Sequence, residues 1–229
     1  MVTGGLMATR VQAPTRAYTP GPTQAGVAGA PARIGPNVVI QTYHALVARG
    51  DPDLAEGVLL DATGRTPAML PGAMVDEREA IAIVHRVRQV LDDEGAAAVL
   101  ADAGHRTARY LLAHRIPRFA QAIMKAAPAG LAFRFLANAM ARHAWTFAGS
   151  GRFEWTTEPR TLLRLHACPM CRDVRASRPF CDYYAATFDT LVRTLVSPRL
   201  AVREVQCRAL GDPCCEFAVQ PHDVDVTTT

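Results

Sequence analysis

The residues best suited to chemistry are six cysteines that lie between residues 168 and 215, after 167 residues without any. They are Cys168, Cys171, Cys181, Cys207, Cys214 and Cys215. No apolar segment of signal-peptide length follows the N-terminal arginines, so we expect a chain that stays in the reducing cytoplasm. Cysteines there serve as metal ligands or free thiols more often than as disulfides. The clustering therefore predicts a metal site.

Three of these thiols and one carboxylate are expected to converge. Cys181 falls in the first turn of a helix that begins near Pro179, where free amides and the helix dipole lower the pKa of a thiol. Cys207 and Cys215 flank a tight turn between two strands, which places them across a hairpin from each other. Glu204 lies three residues before Cys207, so the two converge only if the strand contains a bulge. Three thiolates and a carboxylate suit a closed tetrahedral zinc site, although iron stays open.

Other interpretations of the cysteines stay open at this point. Free cysteines are frequently buried as small apolar residues, and Cys214 is a substitute for Glu204 as the fourth ligand. His166, Cys168 and Cys171 form a second cluster that contains a C-x-x-C motif. This cluster is compatible with a metal half-site, a redox-active pair or two ordinary loop thiols. We prefer the last, because neither a second cysteine pair nor a βαβ unit accompanies it.

Helices are expected to occupy residues 34–149. Residues 1–33 are rich in Pro, Gly, Ala and Thr without apolar periodicity, which predicts a disordered leader. Apolar residues then recur at helical spacing in segments that glycines and prolines separate. The expected helices run from Asn37, as the cap, to Gly50, from Asp53 to Leu60, from Asp76 to Leu91, from Gly95 to Arg115, and in two pieces after Pro117 and Pro128, the last from Leu131 to Phe147.

After Gly151 the pattern changes to that of strands. The expected elements are a hairpin within residues 153–165, a helix from Pro179 to Pro198, and strands at 201–209 and 215–219. Helices followed by a strand–strand–helix–strand–strand unit predict an α+β fold, in which a helical N-terminal layer packs on a small antiparallel sheet. We expect residues 34–149 and 150–220 to form one compact domain, with a disordered tail at 221–229.

The C-terminal motifs resemble those of a known family, the 4-vinyl reductase domain, over about residues 150–220. The matching motifs are Cys181 with Tyr183 and Tyr184, then Glu204-x-x-Cys207, then Gly211-Asp212-x-x-Cys215-x-Phe217. Together with the helical N-terminal half, they make the chain similar to the bacteriochlorophyll-biosynthesis J family of divinyl chlorophyllide 8-vinyl reductases. In sensor relatives of this domain, three cysteines and a glutamate hold a structural zinc. The resemblance implies the same ligands here: Cys181, Glu204, Cys207 and Cys215.

The resemblance also implies a role in bacteriochlorophyll biosynthesis, with a divinyl protochlorophyllide-type tetrapyrrole bound between the helical layer and the sheet. Such a pocket needs apolar walls and a cation for the propionate of the pigment. It also has room for an axial ligand to a central Mg²⁺, which would be His143. The candidate pocket residues are Phe133, Arg134, Arg142, His143 and Trp145, each of which is equally compatible with ordinary core packing.

Whether the chain is an enzyme stays open at this stage. Vinyl reduction needs a source of hydride or electrons, and the sequence contains neither a nicotinamide nor a flavin fingerprint. We therefore prefer a carrier or assembly factor that holds the pigment intermediate for 8-vinyl reduction. The alternatives are a component of the reductase with an external electron donor and a small-molecule-sensing domain.

Charge and hydropathy restrict the expected partners. The net charge of +4 is weak, and with arginines taken as scattered it predicts no nucleic-acid partner. No run of about 18 apolar residues occurs, so no membrane span is expected. The expected partners are the tetrapyrrole, other enzymes of the pathway, a second copy of the chain, and an anionic membrane surface in peripheral contact.

Overall fold

The computed structural model describes residues 32–222. The predicted leader and tail lie outside this range, apart from the two residues of each that adjoin it. One of these, Arg33, begins the short strand β1 (Arg33–Ile34), which pairs antiparallel with β2 (Val75–Asp76). This pairing attaches the start of the described chain to the residues that precede the third helix.

Six helices form the helical layer, as the periodicity predicts. They are α1 (Asn37–Ala48), α2 (Pro52–Thr63), α3 (Glu77–Val90), α4 (Asp93–His114), α5 (Arg118–Ala126) and α6 (Ala129–Arg142). Aspartates cap three of them, since the side chains of Asp51, Asp76 and Asp92 each accept a backbone N–H of the first turn. The predicted cap at Asn37 is wrong, because α1 begins directly after Pro36 and no side chain caps it.

Two helix boundaries differ from the predicted ones. Gly95 lies inside the first turn of α4 rather than before it, because Asp92 accepts the Gly95 N–H and starts the helix earlier. The helix α6 ends at Arg142 rather than near Phe147. There the chain leaves the helix at His143 and makes a short 3-10 turn at Ala144–Thr146.

The main sheet has four antiparallel strands in the order β3-β4-β6-β5. They are β3 (Arg152–Thr156), β4 (Leu162–His166), β5 (Leu200–Gln206) and β6 (Cys215–Pro221). The predicted hairpin is therefore confirmed, with Phe153 opposite Leu165 and Trp155 opposite Leu163. The predicted extension of β5 to Ala209 is wrong, since Arg208–Leu210 form a 3-10 turn that leads into the loop before β6.

A seventh helix, α7 (Asp182–Leu195), lies between α4 and the sheet. It begins after Cys181 rather than near Pro179, so Phe180 precedes the helix. Gly104 of α4 allows the two helices to approach closely, because a Cβ atom there would lie 2.4 Å from the carbonyl oxygen of Tyr183. On the sheet side, Phe188 contacts aromatic rings of β3 and β6.

The described residues thus form an α+β fold, as predicted, with helices on one side of α7 and an antiparallel sheet on the other. The apolar core is continuous across these layers. None of the helices between residues 32 and 222 combines the length and the apolarity that a bilayer crossing requires.

Candidate metal centre

Five of the six cysteines meet at one point in the core, where four segments come together. The segments are the 3-10 turn Pro169–Cys171, the start of α7, the end of β5 and the start of β6. All five thiols are buried: Cys168, Cys171, Cys181, Cys207 and Cys215. The fold therefore assembles one group of sulfurs from residues up to 47 positions apart.

One set of four possible ligand atoms consists entirely of sulfur. Its members lie within 4.8 Å of one another: Cys168, Cys171, Cys181 and Cys215. The Cys181 sulfur is 3.6 Å from that of Cys168 and 3.3 Å from that of Cys171. The Cys215 sulfur is 3.5 Å from those of Cys171 and Cys181. With metal–sulfur bonds of about 2.3 Å, the edge of a tetrahedral site is about 3.8 Å long, so this spacing fits a metal ion.

A second set contains the predicted carboxylate. Its ligand atoms also lie within 4.8 Å of one another: Cys181, Glu204, Cys207 and Cys215. The pairing of β5 with β6 shifts between Glu204 and Gln206 and leaves Val205 outside the ladder. This is the bulge that the convergence of Glu204 and Cys207 requires, and its prediction is confirmed.

Glu204 has one oxygen that a cation would satisfy. Its Oε2 accepts the backbone N–H of Cys181 at 2.9 Å, whereas its buried Oε1 has no hydrogen-bond partner within residues 32–222. Burial, and the charge of the Cys207 thiolate beside it, raise the pKa of Glu204 to about 9. Because an unpaired buried carboxylate is costly, the site is suited to a metal ion that would neutralise it.

The buried thiols share their protons unequally. Hydrogen bonding from Cys171 lowers the pKa of Cys207 to about 6, and hydrogen bonding from Cys168 lowers the pKa of Cys215 to about 6. Contact with Cys168 and the other thiols, together with burial, raises the pKa of Cys181. The expectation that the helix start lowers the Cys181 pKa is therefore wrong, because the surrounding sulfurs outweigh the helix dipole. A metal ion that binds here has to displace the remaining thiol protons.

Helix α3 holds the loop that carries three of the cysteines. Arg88 donates to the carbonyl oxygen of Phe180 at 2.9 Å and to the carboxylate of Asp182, and its guanidinium lies 4.1 Å from the centre of the Phe180 ring. His85 Nε2 lies 3.0 Å from the carbonyl oxygen of Met170. These contacts fix both ends of the loop, and the periodicity of α3 alone gave no indication of them.

A buried ion pair adds a third attachment of α3 to the loop. Glu77 accepts hydrogen bonds from Arg172 Nη1 at 2.6 Å, from the Ser150 N–H at 2.8 Å and from the Ser150 hydroxyl at 3.0 Å. Burial alone would raise the Glu77 pKa, but these hydrogen bonds outweigh burial and lower it. A glutamate in the first turn of a helix is common, so the sequence offered no signal for this role.

Two of the other candidate ligands lie elsewhere. His166 Nε2 is 2.8 Å from Glu154 on the neighbouring strand, and His166 belongs to neither ligand set. Cys214 is buried but also lies outside both sets, so it does not substitute for the carboxylate. Cys168 and Cys171 join the predicted ligands in one cluster, rather than forming a separate cluster with His166 or lying apart as ordinary loop thiols.

The predicted pigment-binding residues divide into two groups. A groove of about 580 Å³ lies between the start of α6 and the edge of the sheet, and Phe133 and Arg134 line it together with Leu131, Leu200 and Val219. Three other predicted residues do not line it and are exposed near the far end of α6: Arg142, His143 and Trp145. The structure thus brings two of the five together.

Known proteins share this sequence and this fold. Residues 162–221 match the model of the 4-vinyl reductase domain. The bacteriochlorophyll synthase 23 kDa chain of Cereibacter sphaeroides is 36% identical over 189 residues, which cover 82% of this chain and 91% of that protein. The protein of the same name from Rhodobacter capsulatus is 36% identical over 192 residues, which cover 82% and 87%. An H-NOX protein from S. oneidensis has a similar fold, with a TM-score of 0.51 and 13% identity over 83% of this chain and all of that one.

Proposed function

The chain belongs to the bacteriochlorophyll synthase 23 kDa chain family, and we propose that it binds a divinyl protochlorophyllide-type tetrapyrrole as a carrier or assembly factor in bacteriochlorophyll biosynthesis. The observation that carries the proposal is the groove beside α6, which combines apolar walls with a cation. Its volume of about 580 Å³ falls within the roughly 300–1,000 Å³ of typical ligand sites.

The groove offers separate contacts for the two parts of such a pigment. Leu131, Phe133, Leu200 and Val219 supply apolar surface for a macrocycle, and Phe133 is held in place by an edge-to-face contact with Trp155. Arg134 lies at the same groove and is suited to a propionate carboxylate. The first residues of α6 also line the groove, and because no side chain caps this helix, its free N–H groups favour an anion.

The proposed groove excludes the other three predicted contacts. His143 lies ten residues after Phe133, which is about 15 Å along a helix axis. A pigment whose edge meets Arg134 in this groove therefore receives no axial ligand from His143. We restrict the proposed pigment contacts to Phe133, Arg134 and the apolar residues around them.

The metal in this proposal is a structural zinc. Its ligands are Cys181, Glu204, Cys207 and Cys215, which join the start of α7 to the hairpin of β5 and β6. Four protein ligands leave no open position for water or substrate, as in structural rather than catalytic zinc sites. The metal would supply no step of the reaction and would hold the sheet against α7. In this proposal a partner enzyme supplies the electrons for 8-vinyl reduction.

The test is a titration of the purified chain with divinyl protochlorophyllide, followed by the absorption and fluorescence of the pigment. We expect stoichiometric binding that Arg134→Glu weakens at least about tenfold, because the variant repels the propionate. Arg142→Glu is the matched control, since the same residue type lies exposed on the same helix but outside the groove. It should bind like the parent chain.

Three outcomes would overturn the proposal. Equal effects of the two substitutions would remove the pigment from this groove. Turnover of the divinyl pigment by the chain with an added electron donor would make it a component of the reductase. Binding of small aromatic molecules, without binding of the pigment, would make it a sensing domain.

A further inference from the structure

Two buried thiols have no role in the proposed zinc site. Cys168 and Cys171 are 1% and 4% exposed, and both lie within contact distance of the Cys181 sulfur. The backbone before them is strained, since Ala167 has a φ of 49° in the left-handed region that residues with a Cβ avoid. Such strain persists only where surrounding interactions fix the conformation. The loop therefore directs both thiols into the cluster at a conformational cost.

The two ligand sets overlap in a way that accounts for every ligand atom. Each set has four members, and they share Cys181 and Cys215. Two tetrahedral ions that share one edge need six ligands, of which two bridge. The cluster offers five thiols and one carboxylate, which is the required number. From this overlap we propose that the cluster binds two divalent metal ions, bridged by the thiolates of Cys181 and Cys215.

In this arrangement Cys168 and Cys171 complete the site of one ion. Cys207 and Glu204 complete the site of the other. The proposal rests on the structural zinc site proposed above and adds a second ion to it. Thiolate is the ligand type that zinc prefers in closed structural sites, and an all-sulfur set is among the commonest.

The charge of the buried cluster does not oppose the second ion. One zinc with three thiolates and a carboxylate carries a net charge of −2. A second zinc adds two positive charges, and the thiols of Cys168 and Cys171 each lose a proton to bind it. The net charge therefore stays at −2. No additional charge has to be buried in the core, and burial of uncompensated charge is the main cost of such a site.

Metal stoichiometry tests the proposal directly. The full chain is purified, loaded with Zn²⁺ or Co²⁺, freed of excess metal, and analysed for metal and protein content. We expect two ions per chain. The double variant Cys168→Ser/Cys171→Ser should keep one, and Cys214→Ser, which removes a buried thiol outside the cluster, should keep two. Circular dichroism verifies that each variant is folded.

Spectroscopy of the Co²⁺ protein gives an independent measurement. Two cobalt ions bridged by thiolates couple magnetically, so the magnetic moment per cobalt should be lower in the parent chain than in the double variant. One ion per parent chain overturns the second site and leaves the single zinc site intact. No bound ion overturns both. Two ions in the double variant overturn the assignment of its ligands.

A second inference comes from the distribution of charge, which is less even than the sequence analysis assumed. Residues 103–153 contain eight of the 25 basic residues, whereas all 21 acidic residues lie elsewhere. Four of the eight are exposed and form no ion pair within the described part of the chain: Arg118, Lys125, Arg134 and Arg142. The region is therefore strongly positive, although the whole chain is close to neutral.

The same region exposes large apolar side chains. Phe119 and Ile123 of α5 are 70% and 56% exposed, and Leu131 and Phe135 of α6 are 48% and 47% exposed. Each pair is four residues apart, so its members share one face of their helix. Beside α5, a further groove is lined by three basic residues and by no acidic one. Exposed aromatic and aliphatic residues between cations are typical of helices that lie in a membrane interface.

We infer that the α5–α6 surface, formed by Phe119, Ile123, Leu131 and Phe135 with the basic residues around them, docks on an anionic lipid bilayer. The apolar side chains would enter the interface, and the cations would meet the lipid phosphates. Charge complementarity favours this occupant, because a second copy of the chain would oppose one positive surface to another.

Vesicle sedimentation tests this inference. The full chain should bind vesicles of phosphatidylglycerol and phosphatidylcholine, and not vesicles of phosphatidylcholine alone. Phe119→Ser/Ile123→Ser should weaken binding by roughly tenfold or more, because two buried apolar side chains are lost. The matched control is Leu60→Ser/Met69→Ser, which replaces side chains of similar exposure outside this surface.

Several results would overturn the lipid assignment. Equal binding to both vesicle types would remove the electrostatic part of the argument. An equal effect of the two double variants would remove the α5–α6 surface. Self-association without lipid that Phe119→Ser/Ile123→Ser abolishes would identify a second copy of the chain as the occupant.

Discussion

The cysteine cluster and the α5–α6 surface are unsatisfied in opposite ways. In the cluster, every sulfur is buried, and the atom that lacks a partner, Glu204 Oε1, points into the interior. On the α5–α6 surface, apolar groups are exposed to water and cations such as Arg118 lack acidic partners among residues 32–222. The cluster therefore needs a small ion that enters the fold, whereas the surface needs a large partner that stays outside it. Changes in the cluster should affect stability, and changes on the surface should affect binding alone.

The largest effect is expected where both ligand sets meet. Cys181→Ser removes a ligand that the two sets share, so it should lower the free energy of unfolding by about 4 kcal/mol, which is the stabilisation from a metal at 1,000 times its dissociation constant. For a chain of this size, the melting temperature should fall by about 8–16 °C. Thermal unfolding followed by circular dichroism measures it.

Cys214→Ser is the control for this comparison. It replaces a buried thiol next to Cys215 that belongs to neither set, so it should cost far less. An equal loss in both variants would mean that the cysteines stabilise the fold by packing rather than by binding a metal.

A smaller effect is expected where α4 packs on α7, which connects the two regions. The Cβ of Gly104→Ala would lie 2.4 Å from the Tyr183 carbonyl oxygen, so the helices must separate. Overpacking of this kind costs about 1–3 kcal/mol, and we expect the upper end because the contact is with backbone. Urea unfolding gives the value. Gly130→Ala is the control, since nothing lies within 4 Å of its new Cβ, and a similar loss there would contradict the argument.

The ion pair that fixes the cysteine loop on α3 should have a further, pH-dependent effect. Arg172→Ala leaves the Glu77 carboxylate with only Ser150 as its partner, and we expect a loss of about 2 kcal/mol because Arg172 is partly exposed. The folded pKa of Glu77 lies below its ordinary value of 4.5. Its contribution is therefore complete above pH 4.5 and is lost as the pH falls through the lower folded pKa.

Acid unfolding of Arg172→Ala and Glu77→Gln measures this contribution. The Glu77→Gln chain should lose less stability than the parent between neutral pH and the acid transition, since it has no carboxylate to protonate. Parallel curves for parent and Glu77→Gln chains would assign the acid sensitivity to other groups.

Local patterns were sufficient to predict most of the fold. The helices, the two hairpins and the bulge at Val205 follow from periodicity, turn residues and the need for Glu204 and Cys207 to converge. The position of Cys168 and Cys171 was not predictable in this way. A C-x-x-C motif in an irregular loop carries no periodicity, and its direction depends on long-range contacts such as Arg88 with Phe180.

The pigment-site prediction partly failed for a similar reason. Phe133 and Trp145 have the same apolar character in the sequence, but α6 ends at Arg142 and the chain then turns. One aromatic residue consequently lines the groove, and the other lies exposed beyond the end of the helix. Helix spacing predicts which residues share a face, but not how far the helix continues along a neighbouring sheet.

The smallest effect on stability should come from the surface, and it sharpens the comparison most. Phe119 is 70% exposed, so Phe119→Ser removes little buried contact, and we expect the free energy of unfolding to change by less than about 0.5 kcal/mol. The same substitution should weaken binding to phosphatidylglycerol vesicles, which urea unfolding and sedimentation of one preparation measure together. A loss of stability comparable to that of Gly104→Ala would show that Phe119 packs inside the fold, and the contrast between the two regions would then not hold. Unchanged stability with reduced vesicle binding would separate them, because a side chain that contributes only to an external interface has no effect on the isolated chain.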